Sequence, residues 1–423
     1  MNGRTFRRGV VAAALALAVA VAACGDDDDD GGTTGSAAEG QASGAPSGDP
    51  LKIGVVAPNG SPVFNDTWSV AAAQAAARAV NDRGGVAGRP VEIVYCNDKG
   101  DPNETAKCAR EMVSDEVVAT VGGSTFGGAA LNPVLNAAKI PQIGLDPQTG
   151  PDFSSPNVYL FSGGSLLGFQ TLVSYAAHKK VPLAVVGGDN SVTATFIPQA
   201  QKILEENGSR LTAKVLVPPK QADFAPLVAA AERNGTEGAL IFLGKEQMQQ
   251  FMAAARARGT DFQYFTPSTV TDIVADPAGL ESIGGEATLA DATFSNTFPP
   301  LNSDNAEMKR YLEEMKAEAD AGTAEADTPT LNGIRAWLAV NVIEQVVEDQ
   351  KVTDVSGATL MEALNATKDL DLGGLIPPWT PNAPGPKGLE RVSNQKYFII
   401  GFDGTETTQI LDEPVDIATA GGS

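Results

Sequence analysis

From Leu51 onward, short apolar runs rich in β-branched residues alternate with longer stretches of helical period. LKIGVVA reads as a strand, and a turn-rich loop, PNGSPVFND, follows it. WSVAAAQAAARAVNDRGG then reads as a helix, with Asn65 or Asp66 as N-cap and Gly84 and Gly85 closing it. After GVAGRP comes the strand VEIVYC. The stretch DPNETAKCAREMVSD carries a start signal, with Asp101 as N-cap, Pro102 at the first helical position and Glu104 completing a capping box. EVVATVGG, a helix ending near Ala138, and IPQIGL repeat the unit. Strands separated by helices in this rhythm indicate βαβ units and a parallel sheet covered on both faces, for residues 50 to about 162.

A second series starts at SLLGFQTLVSYAAHKK, a helix, followed by the strand PLAVVGG, the helix ATFIPQAQKILEENG and the strand RLTAKVLV. FAPLVAAAERNG, EGALIFLG, EQMQQFMAAARARG and FQYFTP continue it as helix, strand, helix and strand. The remainder reads as a strand near EATLADATF, helices in NAEMKRYLEEMKAEADAG, TLNGIRAWLAVNVIEQVVED and GATLMEALNAT, and a final hairpin in RVSNQKYFIIGFDGTETTQIL. Gly- and Pro-rich segments at 161–165, 296–301 and 372–381 punctuate the series; each is either a passage between lobes or simply a loop. The expected fold is α/β: two Rossmann-like open-sheet lobes joined by three crossover segments. The first lobe takes residues 50–162 plus 298–374, the second 163–297 plus 375–415.

The first 49 residues have a different pattern. Arg4, Arg7 and Arg8 precede an apolar run, Val10 to Ala23, that is shorter than the ~20 residues a bilayer span requires, so residues 1–23 are expected to be a secretory signal. The ending VAAC resembles the bacterial lipobox, which implies a diacylglyceryl group on Cys24. Residues 24–49 carry almost no large apolar side chain and are expected to form a flexible acidic tether, spanning roughly 25–30 Å. A calcium loop starting at Asp26 would need Glu at its twelfth position, which is Ala37. No metal site is expected.

The chain has 30 basic and 52 acidic residues, a net charge of −22. Removing residues 1–23 takes three arginines and leaves a net charge near −25, which argues against nucleic-acid binding. In an exported protein the other two cysteines, Cys96 and Cys108, are expected to form a disulfide, two reduced buried thiols being the alternative.

KIGVVAPNGSP, AVNDRGGVAGRPVEIVYCNDKGDPNETAKCAREMVSD and VVATVGGSTFGGAALNPVLNAAKIPQIG, in this order, resemble the first lobe of the branched-chain amino acid and amide type of periplasmic binding proteins. The resemblance continues through PLAVVGGDNSVTATF, ADFAPLVAAAERNGTEGALIFLG and GGLIPPWTP. It implies a type I periplasmic binding fold and the substrate-binding lipoprotein of an ABC importer. The expected partners are a small-molecule ligand and the permease subunits. The chain is expected to be monomeric, held at the outside of the cell membrane only by its lipid, without cofactor or nucleic acid.

In open α/β sheets ligands sit beyond the carboxyl ends of the strands. The loops concerned in the first lobe are PNGSPVFND, with Ser61 and Phe64, then GGSTFGG and LDPQTG. The resemblance implies that hydroxyls and backbone N–H groups at Ser124, Thr125, Gln148 and Thr149 bind a ligand carboxylate. Phe64 and Trp68 either stack on an apolar ligand or pack at the lobe surface, and Asp146 either pairs a cationic group or caps a turn. In the second lobe the loops are GDNSVTA, with Asn190 and Val192, LGKEQ, with Lys245, and TPSTVTD, with Ser268. Amino-acid-binding relatives tend to carry an aromatic residue at the position of Val192 and an ammonium-pairing glutamate at that of Ser268. Here either Asp189, Glu246 or Asp272 substitutes, or the ligand is not an α-amino acid. Lys245 suits an anionic group, or is a solvated helix residue.

No catalytic residues are expected. The single histidine, His178, lies late in a helix beside Lys179 and Lys180, and GGSTF lacks the glycine a nucleophile elbow requires after Ser124. The alternatives are a sensor lobe docking a membrane signalling protein and a hydrolase built on carboxylates.

Overall fold

The structure is a computed structural model that describes residues 45–61, 65–268, 270–274, 277–402 and 406–420. The signal segment, Cys24, nearly all of the tether, and Phe64 lie outside the described residues.

The first half of the first lobe alternates β1 (Leu51–Ala57), α1 (Trp68–Asp82), β2 (Val91–Asn97), α2 (Pro102–Ser114), β3 (Ala119–Val121), α3 (Gly128–Ala137), β4 (Gln142–Ile143) and β5 (Val158–Tyr159). The strands form a parallel sheet of order β2-β1-β3-β4-β5. The near-continuous apolar run of β1 reflects burial on both faces, with Ile53 and Val55 fully buried. Alanines on the buried face of α1 let it lie close to its neighbours.

The second series runs α4 (Gly164–His178), β6 (Leu183–Gly188), α5 (Ser191–Glu206), β7 (Leu211–Val217), α6 (Ala225–Ala231), β8 (Gly238–Phe242), α7 (Lys245–Ala257), β9 (Gln263–Thr266), α8 (Val270–Val274), α9 (Pro277–Ile283) and β10 (Thr293–Asn296). The chain then forms α10 (Ala306–Asp320), α11 (Ile334–Asp349) and α12 (Gly357–Ala366), and ends in β11 (Phe398–Phe402) and β12 (Thr407–Gln409). The second sheet has the order β12-β11-β10-β9-β8-β6-β7, parallel except where β11 pairs with β10 and with β12. Helices α10 and α11 return to pack on α1, and α12 packs on α11. Helix α11 is buried all round from Ile334 to Ile343, so its large aliphatic residues, each contributing about 1.5–3 kcal/mol, close the first lobe's core.

Several boundaries differ from expectation. Helix α1 begins at Trp68 with Thr67 as N-cap, although the Asp66 carboxylate still accepts the Ser69 N–H at 3.2 Å. Asp101 caps α2 by accepting from the N–H groups of Asn103 and Glu104, but its own N–H donates to Asp98 O at 2.8 Å, so Glu104 does not complete a capping box there. In EATLADATF only the end is strand, because Glu286–Thr288 forms a 3₁₀ turn and Asp291 takes φ 77°.

The third passage also falls later than residue 375. Trp379 Nε1 donates to Leu160 O at 3.0 Å and Arg391 Nε to Val158 O at 2.5 Å, holding residues 379–391 against the end of the first sheet. Tyr397 is the first residue bridged to the second lobe's tail. The passages are laced together. The Ser162 and Thr297 hydroxyls lie 2.7 Å apart, Asn394 Nδ2 donates to Phe161 O at 2.9 Å, and the Tyr397 hydroxyl donates to Gly164 O at 3.0 Å.

Cys96, in β2, and Cys108, in α2, are bonded, with Cα atoms 5.6 Å apart. Closing so short a loop contributes about 3 kcal/mol in the chain-entropy account.

Candidate functional site

The loops beyond β1, β3 and β4 are placed by backbone that only glycine adopts easily. Gly122 and Gly123, at φ 53° and 74°, turn the chain out of β3. A Cβ on Gly122 would lie 2.4 Å from that of Ala336 in α11, and one on Gly123 2.4 Å from Val56 O. Ser124 and Thr125 are therefore held over the end of β1.

Beneath them lies a buried polar floor. Asp98, fully buried, accepts from the hydroxyls of Thr105 (3.0 Å) and Thr125 and from the Gly100 N–H (3.0 Å). The Thr125 hydroxyl in turn accepts from the Gly127 N–H at 3.0 Å, so both its roles are filled. The Ser124 hydroxyl makes no hydrogen bond among the described residues. Asp66 is also buried, and desolvation pushes its carboxyl up to about 6, against the hydrogen bonds from Ser69 and with smaller help from the charges of Asp146 and Asp98. Burial, with Asp66 and Asp98 nearby, raises the Tyr95 phenol to about 12, and its hydroxyl donates to Ala57 O at 3.1 Å.

In the loop after β4, Asp152 collects the N–H groups of Gln148 (3.0 Å) and Thr149 (2.7 Å), the Thr149 hydroxyl (2.9 Å) and Asn132 Nδ2 (2.8 Å). Asp146 Oδ2 accepts from Gln148 Nε2 at 2.9 Å and, across the first passage, from the Ser165 hydroxyl at 3.1 Å. Its Oδ1 faces Arg335 Nη2 at 3.7 Å. Arg335, buried near the start of α11, donates from Nη2 to the Thr297 hydroxyl at 2.7 Å and from Nη1 to that of Ser162 at 3.5 Å, and lies 5.5 Å from the Phe298 ring centre. One guanidinium thus touches two passages and faces the loop carrying the candidate ligand groups.

Ser61 is buried, with its N–H on Asn65 Oδ1 at 3.0 Å, and Trp68 opens α1 half-buried. In the second lobe Asn190 caps α5, its Oδ1 accepting from the Thr193 N–H at 3.0 Å; Val192 is exposed in the next turn. Lys245 opens α7, and Ser268 follows β9, its carbonyl accepting from the Thr271 N–H and hydroxyl. Asp189 and Glu246 are exposed, and the side chain of Asp272 lies outside the described residues.

A cavity of about 20 Å³ under the first-lobe loops, bordered by Thr120, Thr125, Gln142 and Asp152, has room for a water molecule rather than a solute. A groove of about 580 Å³ between α2 and α3 is lined by Arg110 and apolar side chains, and no strand end points polar groups into it. Among the described residues the one group of metal-type ligand atoms is Cys96, Cys108 and Glu111, and its sulfurs are bonded to each other.

Sequence reasoning passed over Asp98 and Arg335 and read Asp66 only as a cap. Arg335 had a signal, a lone charge inside the apolar run IRAWLAVNVI. Asp152 stands three residues after Thr149, the spacing of a helix-start motif.

The sequence model described as periplasmic binding protein matches residues 50–388. A Leu/Ile/Val-binding protein homolog 3 of Brucella melitensis is 25% identical over 335 residues, 76% of this chain and 84% of that protein. The fold is similar to that of a fatty acid ABC transporter substrate-binding protein from Thermomonospora curvata, with TM-score 0.69, 16% identity, and coverage of 89% of this chain and 94% of that one. It is also similar to a branched-chain amino acid transporter substrate-binding protein from Streptococcus pneumoniae in complex with isoleucine, with TM-score 0.67, 16% identity and coverage of 87% and 100%.

Proposed function

The chain belongs to the periplasmic binding protein family, and from that premise we propose that it captures a small polar solute between its two lobes and presents it to an ABC importer. The observation that carries this reading is the arrangement at the passages. Loops from strand ends flank three hydrogen-bonded crossings, and Arg335 bonds to the first two while facing Asp146. Such a joint bends at few residues, and a solute touching both sides stabilises the closed form by its differential affinity for it.

On the first lobe the solute meets Ser124, Asp146 and Gln148, with Trp68 beside them. On the second it meets the loops of Asn190, Val192, Lys245 and Ser268. The solute class of the family resemblance is a branched-chain amino acid, an amide or a related organic acid, and the similar structures above are a substrate-binding protein of a fatty acid ABC transporter and one of a branched-chain amino acid transporter in complex with isoleucine. The reading places the chain outside the cytoplasm, anchored through a lipid on Cys24 with residues 25–49 as tether, acting as a monomer and leaving the solute unaltered. Mass spectrometry of what co-purifies with the protein tests it. A solute that raises the melting temperature when returned to the stripped protein, and is recovered at unchanged mass, supports the reading; recovery of a converted product refutes it. Mass analysis of the mature N-terminus tests the anchor, which an unmodified Cys24 rules out.

A further inference from the structure

Away from the interlobe loops, the side chains around the Cys96–Cys108 bond form a cluster that the solute-binding reading does not use. Cys96 lies near the end of β2, and Cys108 and Glu111 stand three residues apart on α2, the spacing that puts two side chains on one helix face. Both cysteines are buried in an apolar cluster with Val56, Met112 and Leu131, and their Cα atoms are 5.6 Å apart. The Glu111 side chain keeps 43% of its exposure, so the cluster reaches solvent through it.

Glu111 Oε2 lies 3.0 Å from Cys96 Sγ. That sulfur is bonded to Cys108 and carries no proton, so a carboxylate oxygen is held beside an atom with nothing to donate. The other oxygen faces Lys107 Nζ at 3.4 Å. The two sulfurs and a Glu111 oxygen all lie within 4.8 Å of one another. Tetrahedral zinc, at about 2.3 Å from sulfur and 2.0–2.2 Å from oxygen, spaces its ligand atoms about 3.6–3.8 Å apart. Once the sulfurs separate, rotation about side-chain bonds brings the set to that spacing.

We propose that Cys96, Cys108 and Glu111 form a redox-gated site for a thiophilic divalent cation of the zinc type, closed while the sulfurs are joined and open when they are reduced. Two molecules of a small thiol supply two electrons and two protons and leave as their own disulfide, and each cysteine becomes a thiol. The cation then displaces both thiol protons to water. It forms two metal–sulfur bonds and one bond to Glu111, with water in the fourth position. Two thiolates beside a carboxylate are three like charges at the edge of an apolar cluster, and the cation cancels two of them. Two sulfurs and one carboxylate select zinc or cadmium over magnesium or calcium, which prefer all-oxygen sites.

The test uses the full chain carrying Cys24→Ser, so that Cys96 and Cys108 are its only cysteines, with and without reduction by a phosphine that is then removed without air. Cadmium is titrated by its thiolate charge-transfer absorption and zinc by calorimetry. The reduced chain is expected to bind one ion, more tightly than free dithiothreitol does, and the oxidised chain none. Glu111→Gln is expected to weaken zinc by at least about tenfold, the scale on which even the loss of an outer partner acts. Lys107→Gln, which frees the Glu111 oxygen from its ammonium, is expected to tighten zinc and serves if Glu111→Gln fails to fold. Equal uptake by the oxidised chain, a reduced chain without the charge-transfer band, or a zinc affinity that neither variant moves overturns the proposal. A reduced chain that unfolds and is not refolded by zinc overturns it as well.

Discussion

Replacing Arg335 by Met keeps the volume of the side chain and removes its charge, leaving the hydroxyls of Ser162 and Thr297 without their shared donor and Asp146 without its cation. Breaking a fully buried ion pair costs about 3–5 kcal/mol. Here the two charged atoms are 3.7 Å apart and the Asp146 side chain keeps 17% of its exposure, so part of the loss is softened by water. The bond to Thr297, at 2.7 Å, is the stronger component and by itself is expected to contribute about 1.5–3 kcal/mol. We expect Arg335→Met to lower the unfolding free energy by about 2–4 kcal/mol in urea titrations. Asp146→Asn strands the guanidinium instead, and the double variant removes both charges. The double variant should therefore lose less than the sum of the singles, with a coupling of about 1 kcal/mol or more. Loss of under about 0.5 kcal/mol for Arg335→Met, or simple additivity, refutes the claim that this residue braces the passages.

Three further outcomes follow from the same structure. Because the Asp66 carboxyl is raised to about 6 when folded, the folded state binds its proton more readily than the unfolded chain; the group opposes folding at pH 7, and this penalty is relieved as pH falls from about 7 to 4. Asp66→Asn should accordingly gain stability at pH 7, by up to about 3 kcal/mol, and flatten the change in melting temperature between pH 4 and 6; an unchanged pH profile contradicts the assignment. Reducing the Cys96–Cys108 bond, or Cys108→Ser, is expected to lower stability by about 2–3 kcal/mol in denaturant titrations, and indifference to reductant would show that the link constrains little. Asp101→Ala removes the acceptor for two N–H groups at the start of α2 and should cost about 1 kcal/mol, whereas Asp101→Asn should retain most of it.

The alternation of strands and helices was legible because each element carries its own period. LKIGVVA and PLAVVGG are buried on both faces or nearly so, and such an apolar run reads as a strand from its own composition, whereas VEIVYC, at the sheet edge with Glu92 and Tyr95 exposed, reads as one through its β-branched and aromatic residues. The two-residue strand at Val158–Tyr159 was not legible, since its pairing with β4 is set by neighbours rather than by its own composition. The third passage was marked by its Gly- and Pro-rich segment at 372–381, but its anchoring was not legible. The indole of Trp379 and the guanidinium of Arg391 fix it by bonds to Leu160 and Val158, more than two hundred residues away in the chain, and no local signal marks them.

For the candidate residues of the first lobe, their place at the strand ends was legible and their hydrogen bonding was not. The strand-end rule brought Ser124, Thr125, Asp146, Gln148 and Thr149 together, because the end of a parallel sheet is a property of fold. Which of their groups stay open depends on distances. The Thr125 hydroxyl donates to Asp98, a pairing set by the tertiary fold, and that of Thr149 to Asp152, which only the three-residue spacing hinted at.

The central claim, that two lobes close on a solute, is most directly tested by small-angle X-ray scattering of the stripped protein before and after the co-purified solute is returned at saturating concentration. The account predicts a smaller radius of gyration with solute and a reversal on dialysis. Scattering curves that superimpose while calorimetry shows the site filled would contradict it.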